Sequence, residues 1–324
     1  MVESYIKRFA KLHTDTSSAR WSATTRHQAP HKPLLLLSVI DLFAQGSITT
    51  NLIELTPDLG ELFTLYWARV MPPDQHGNLA LPFFHLKSDG FWHLIPRSGK
   101  EAVLAAAQQI RSLNQLRETI FGAKLDEELY TLLGIEEIRH LLRTMLIETY
   151  FSSDVQPKLV EQGMINAKAF QYSQTLLERV RTEQLREEPA EEEYQPAARN
   201  QGFRRAVVIA YDHRCALCGI RLLTPDGHTV VDAAHIIPWS ISHSDDPRNG
   251  MALCRLCHWN FDEGLMSVSS QYVVISSPQL GANHNIPGYL LTVVGRRIIG
   301  PDEQILWPDL DSLIWHRQKV FRRR

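Results

Sequence analysis

The chain has 324 residues, 44% hydrophobic and 22% charged, proportions that exclude wholesale disorder and suit two domains. Its 34 Lys+Arg against 36 Asp+Glu give a formal net charge of -2, which excludes a polybasic, histone-like chain but not nucleic-acid binding, since opposite charges can sit in different segments. The most apolar stretch, Leu34 to Ile40, ends at Asp41 and is too short to span a bilayer, and the start MVESYIKRFAKLH lacks the apolar core of a secretory signal. A cytoplasmic protein with no membrane partner is expected.

In chain order, Pro33 followed by LLLLSVIDLFAQG predicts a buried helix with proline in its first turn and Gly46 as terminator. Leu79–Leu94 predicts two short aromatic strands joined by a turn at Ser88-Asp89-Gly90. Three amphipathic helices are expected next, over Glu101–Glu118, Asp126–Leu133 and Gly134–Tyr150. The segment REEPAEEEYQPAARN, 186–200, has almost nothing to bury and predicts an exposed acidic linker after a helix over Tyr172–Arg186. Without it the flanking parts are neutral to basic.

Beyond the linker the pattern predicts a helix over Gly202–Tyr211, a strand over Val230–Ile236 and a short helix over Arg255–Asp262 closed by Gly264. A strand over Gln271–Ile275 and a basic C-terminal helix follow. Arg199, Arg204, Arg205, Arg214 and Arg221 face only Asp212 nearby, and with Arg317, Lys319 and the terminal arginines they make a candidate phosphate-facing surface. The expected architecture is α+β. A mainly helical first domain with short strands (1–155) is followed by a helix and linker (156–200) and a metal-stabilised second domain (201–324).

All four cysteines fall in two C-x-x-C pairs, Cys215/Cys218 and Cys254/Cys257. Without a secretion signal, four thiolates around a structural zinc are the better use, and two redox dithiols the alternative. Between and after the pairs stand VVDAAHIIPW, DDPRNGMALC and HWNFDEG, which place His235, Asn249 and His258 at intervals of 14 and 9 residues. Residues 200–270 thereby resemble the HNH nuclease family, whose active site is a β-hairpin and helix around one divalent metal.

That resemblance implies roles. A neutral imidazole near pH 7 takes a proton from the attacking water, which suits His235 as general base. Asn249 is expected to hold that base in one orientation. His258 is expected to bind a divalent cation, Mg2+ or another such as Mn2+, that polarises the phosphate. Asp262 lies four residues on and shares a helix face with His258. Many family members carry Asp or His immediately before the general base, where this chain has Ala234. Asp232 is the candidate substitute, although strand alternation turns it to the face opposite His235.

The first domain carries A-P-H-K-P-L-L-L-L at 29–37, L-P-F-F-H-L-K-S-D-G-F-W at 81–92 and L-D-E-E-L-Y-T-L-L at 125–133. Together with the W-H-R-Q-K-V-F-R ending, these resemble phosphorothioation-dependent restriction endonucleases, in which a sulfur-binding domain precedes an HNH domain. The resemblance implies a reader site formed by His31, Lys32, Leu81, Pro82, Phe83 and His85. A non-bridging sulfur is large, soft and poorly hydrated, so an apolar dimple edged by Pro82 accepts it and penalises oxygen. Lys32, with His31 beside it, would offset the residual negative charge. The family's aromatic before this proline and its arginine near the basic position are here Leu81 and Lys32.

The leading expectation is therefore an endonuclease of restriction type that reads phosphorothioate-modified double-stranded DNA and cuts nearby. Because one HNH centre addresses one strand, a homodimer is expected, at least on DNA. An HNH endonuclease directed to methylated bases, with Trp67, Phe84 and Trp92 as an aromatic cage, or to an unmodified sequence, is the alternative. A zinc-stabilised DNA-binding regulator without catalysis is the third reading, disfavoured because binding alone requires none of the His-Asn-His trio.

Overall fold

A computed structural model describes residues 2–182, 195–224, 227–282 and 285–323. The chain divides into two compact units, Met1–Ala167 with Thr224–His228, and Lys168–Leu223 with Thr229–Arg324. Among the described residues no helix is long and apolar enough to cross a membrane.

The first unit is mainly helical. Its helices are α1 (Val2–Phe9), α2 (His31–Ala44), α3 (Pro57–Val70), α4 (Ala80–His85), α5 (Glu101–Ala106), α6 (Leu113–Thr119), α7 (Glu127–Leu133) and α8 (Glu136–Tyr150), followed by the start of α9 (Gln156–Arg181). Helix α2 is buried along its whole length from Lys32 to Phe43, packed by α3, α4 and α8, as its unbroken apolar faces require. Gly46 ends it in the left-handed region, φ 68°, where a side chain would be strained. A polar cluster enters this core: the Asp41 carboxylate meets Arg143 at 2.7 Å, the Tyr66 hydroxyl at 2.9 Å and the Asn166 amide at 2.7 Å.

Two expectations for this unit are corrected. Residues 80–85 form a helix rather than a strand. Apolar residues there do not alternate, the Asn78 side chain accepts the Ala80 N–H at 2.9 Å, and Pro82 lies in a first turn that needs no N–H from it. The strand after it does form: β1 (Trp92–Pro96) pairs antiparallel with β2 (Ile120–Leu125), Trp92 opposite Leu125. The single helix expected over Glu101–Glu118 is two, because Ser112 starts a new one by accepting the Gln115 N–H.

The second unit holds the end of α9, then α10 (Pro196–Ala210), β3 (Val231–His235), α11 (Trp239–Ser242), β4 (Gly250–Cys254), α12 (Arg255–Asp262), β5 (Met266–Val268), β6 (Val274–Ser276), α13 (Leu290–Val293) and α14 (Leu310–Lys319). Most of the expected acidic linker, 186–194, lies outside the described residues. Its last part is helical instead, since Pro196 occupies the first turn of α10 and Ala198 is buried. Strands β3 and β4 form an antiparallel hairpin, Val231 opposite Cys254 and His235 opposite Gly250, and α12 follows β4 without a gap. Helix α10 packs on both strands, and α12 on β3, β4 and β5. Gly264 closes α12 at φ 67°, where a side chain would collide with the Val320 carbonyl.

Candidate active site and metal centre

The segment between α10 and β3 and the junction of β4 with α12 bring the four cysteines together. Their Sγ atoms all lie within 4.8 Å of one another, and the Cys218 and Cys254 sulfurs are 3.8 Å apart. Tetrahedral thiolate coordination with metal–sulfur bonds of about 2.3 Å requires sulfur–sulfur separations of about 3.8 Å, so the set fits a structural metal. Cys215, Cys254 and Cys257 are buried and Cys218 half-buried, leaving no room for a substrate.

His235 ends β3 with its ring stacked on Phe203, centroids 3.9 Å apart and planes at 11°. Its Nε2 lies 2.9 Å from Asp245 Oδ1. Asp245 is buried, and its other oxygen accepts the Tyr172 hydroxyl at 3.0 Å and pairs with Arg199 at 3.2 Å. The Arg199 guanidinium in turn lies 3.6 Å over the Trp239 ring. None of Asp245, Tyr172 or Arg199 was singled out as a partner of His235. The available signal was the Asp-Asp pair at 245–246, of which Asp246 caps the turn before Asn249 and pairs with Arg248.

Asn249 does not reach the imidazole. Its side chain accepts the Ile237 N–H at 2.9 Å and donates to the Ile237 carbonyl at 3.0 Å, and its own carbonyl accepts the Ile236 N–H at 2.8 Å. The expectation that Asn249 orients His235 directly is corrected: it fastens the backbone leaving β3. A buried amide that satisfies both polar groups of one residue fixes that exit rigidly.

On α12, His258 Nε2 and Asp262 Oδ2 are 3.4 Å apart, as their four-residue spacing predicts, and both face outward. Burial raises the Asp262 carboxyl above its ordinary value, while the neighbouring His258 opposes the shift. Asp232 does not join them. It points to the exposed face of the hairpin and pairs with Arg204 at 2.9 Å. His258 and Asp262 therefore fit one side of a divalent cation's shell, and Asp232 does not. Among the described residues only the cysteine cluster places three or more His, Cys, Asp or Glu ligand atoms together.

Part of the expected basic surface is paired within the fold. Arg199, Arg204, Arg221 and Arg322 pair with Asp245, Asp232, Asp212 and Glu263, and Arg317 donates to the Val268 carbonyl.

In the first unit, Lys32 does not stand open as a phosphate contact. Its ammonium is 2.6 Å from Asp89 and 3.2 Å from the Ser88 hydroxyl, with a side chain 7% exposed. Nor does His31 carry charge at neutral pH: wedged between Trp21 and Trp67, it is pushed down by burial to about 4. Pro82 and Phe83 are buried on α4, Phe83 edge-on against Trp92, while Leu81 and His85 remain half-exposed. Burial first, then Lys32 and Lys87, lower the His85 imidazole, so it too is neutral. Trp67, Phe84 and Trp92 are all buried, so they frame no open aromatic cage.

The sequence model described as the ScoMcrA-like DNA sulfur-binding domain matches residues 5–166, half of the chain. The chain belongs to this family. A model of HNH endonucleases matches residues 215–269, the hairpin, α12 and all four cysteines. This sulfur-binding-domain protein thus also carries an HNH endonuclease domain. No curated protein sequence matches it. A solved structure titled modification dependent TagI restriction endonuclease is 24% identical to this family member over 36% of this chain and 37% of that one, with a TM-score of 0.27.

Proposed function

We propose that the protein is a modification-dependent endonuclease whose first unit reads phosphorothioate-modified double-stranded DNA and whose second unit cuts it. The observation that carries this reading is the union in one chain of a DNA sulfur-binding domain with an HNH domain.

In the proposed reaction His235 takes a proton from water, whose oxygen forms a bond to phosphorus. The bond from phosphorus to the 3′ oxygen breaks, and that oxygen leaves with the electron pair and is protonated by solvent. A divalent cation, Mg2+ or Mn2+, held by His258 and Asp262 would polarise the phosphate and stabilise the leaving oxyanion. Asn249 keeps the β3 exit, and hence His235, in register. The cysteine-bound ion in this reading is zinc, closed to substrate and structural. In the reader, half-exposed Leu81 supplies an apolar lip suited to sulfur, with half-exposed His85 one turn further on. Cutting both strands then calls for two copies of the chain, assembled at least on DNA.

The test is to challenge the purified protein with one duplex made with and without phosphorothioate linkages. Cleavage confined to the modified duplex is expected. Equal cleavage of both would sink the reading.

A further inference from the structure

We propose that Asp245 is the positioning residue of the nuclease: it fixes the tautomer of His235 and so makes Nδ1 the basic nitrogen. The inference rests on the reading of His235 as general base and goes beyond it.

A base that must accept a proton from water needs one ring nitrogen with its lone pair open and the other already protonated. His235 Nε2 faces Asp245 Oδ1 at 2.9 Å. Asp245 is buried with the Arg199 guanidinium 3.2 Å away, and a carboxylate offers only acceptors. Nε2 therefore carries the hydrogen and donates it. Nδ1 has no hydrogen-bond partner among the described residues, on a side chain 23% exposed. Phe203 covers one ring face and prevents the ring from rolling away.

The carboxylate is itself held. Tyr172 donates to Oδ2 and the Arg199 guanidinium ion-pairs with that same oxygen at 3.2 Å, which leaves Oδ1 turned to the imidazole. This asymmetry makes a sharp forecast for Asp245→Asn. The Tyr172 donor and the Arg199 cation favour the amide oxygen and disfavour the amide NH2 on their side, so the NH2 turns to Nε2. An NH2 there donates, Nε2 becomes an acceptor, and the hydrogen moves to Nδ1. The basic nitrogen is then blocked in a side chain of nearly unchanged shape.

The experiment compares wild type, Asp245→Asn and His235→Ala as full-length proteins, in single-turnover cleavage at saturating DNA, in DNA affinity, and by 15N NMR of labelled histidines. The His235 resonance is assigned from its loss in His235→Ala. Asp245→Asn is expected to slow cleavage about 10²–10⁴-fold, as loss of a base or its orienting carboxylate does, with DNA affinity unchanged and His235 switched from Nε2–H to Nδ1–H. Wild-type cleavage by Asp245→Asn, or slowed cleavage without a tautomer switch, overturns the proposal. If Asp245→Asn does not fold, the wild-type spectrum still decides, because an Nδ1–H tautomer there overturns it and an Nε2–H tautomer supports it. Undiminished cleavage by His235→Ala instead refutes the general-base reading, whatever Asp245→Asn does.

Discussion

Lys32 and Asp89 meet inside the first unit at 2.6 Å, with side chains 7% and 2% exposed. Desolvation lowers the Lys32 ammonium, and Asp89 opposes that shift. Asp89 also accepts the His13 backbone N–H at 2.7 Å, so the pair ties the chain after α1 to the start of α2. Removing one partner strands the other charge in a low-dielectric interior. Lys32→Ala is expected to destabilise the first unit by about 3–5 kcal/mol, measured by urea unfolding. A loss below about 1 kcal/mol would mean the pair is hydrated like a surface bridge.

The four cysteines share one fate. Metal analysis of purified protein should find about one tightly held zinc per chain, and Cys254→Ser should release it and lower the melting temperature of the second unit. The reason is geometric: Cys215 and Cys218 precede the hairpin while Cys254 and Cys257 close β4 and open α12, so the ion bridges segments distant in the chain. Folded, zinc-free wild type at full stability would exclude the structural role.

Much of the second unit was legible. The cysteine pairs, the spacing of His235 and His258, and the helix over Arg255–Asp262 are local patterns, and the structure reproduces that helix and brings the sulfurs together. What failed was partnership across the fold. Arg199 and Asp245 are 46 positions apart and no local pattern joins them, so the arginines read as open when several were paired. Residues 80–85 misled for a different reason. Phe83 and Phe84 have high β-propensity, yet the Asn78 side chain that accepts the Ala80 N–H and burial of one continuous apolar cluster decide for helix, as tertiary packing commonly overrides propensity.

Acid should weaken the second unit through His316. This imidazole is buried and stacked on Phe261, centroids 3.7 Å apart, with Nε2 3.0 Å from the Phe261 carbonyl and Nδ1 2.8 Å from the Ser267 hydroxyl. Burial pushes it down from 6.5 to about 4; the Phe261 carbonyl opposes the shift and Arg317 adds to it. Between those values the unfolded chain binds a proton that the folded one refuses. Its contribution is therefore complete above pH 6.5 and is lost as pH falls towards 4, by about 1.4 kcal/mol per unit. Urea unfolding of wild type and His316→Gln at pH 7 and pH 5 tests this. The variant should show a pH slope smaller by roughly one proton. An unchanged slope would show that His316 does not refuse the proton.

The reader makes the most selective prediction. Pro82 is buried on α4, so a charge placed there would unfold the helix rather than report on the mark. Leu81 is half-exposed beside it, and His85, one turn further on, is neutral. Sulfur selectivity is a difference of two affinities, and apolar contacts distinguish groups of similar size by about 1–3 kcal/mol, roughly 10–200-fold. Leu81→Asp brings a carboxylate that repels either phosphate and also replaces the apolar contact that only sulfur rewards. It should therefore weaken binding of modified DNA far more than of unmodified DNA, bringing the ratio of the two towards one. The measurement is the affinity of full-length protein for matched duplexes with and without phosphorothioate, on a His235→Ala background so that the DNA stays intact. A ratio that survives Leu81→Asp at its original value would place the sulfur contact elsewhere in the first unit.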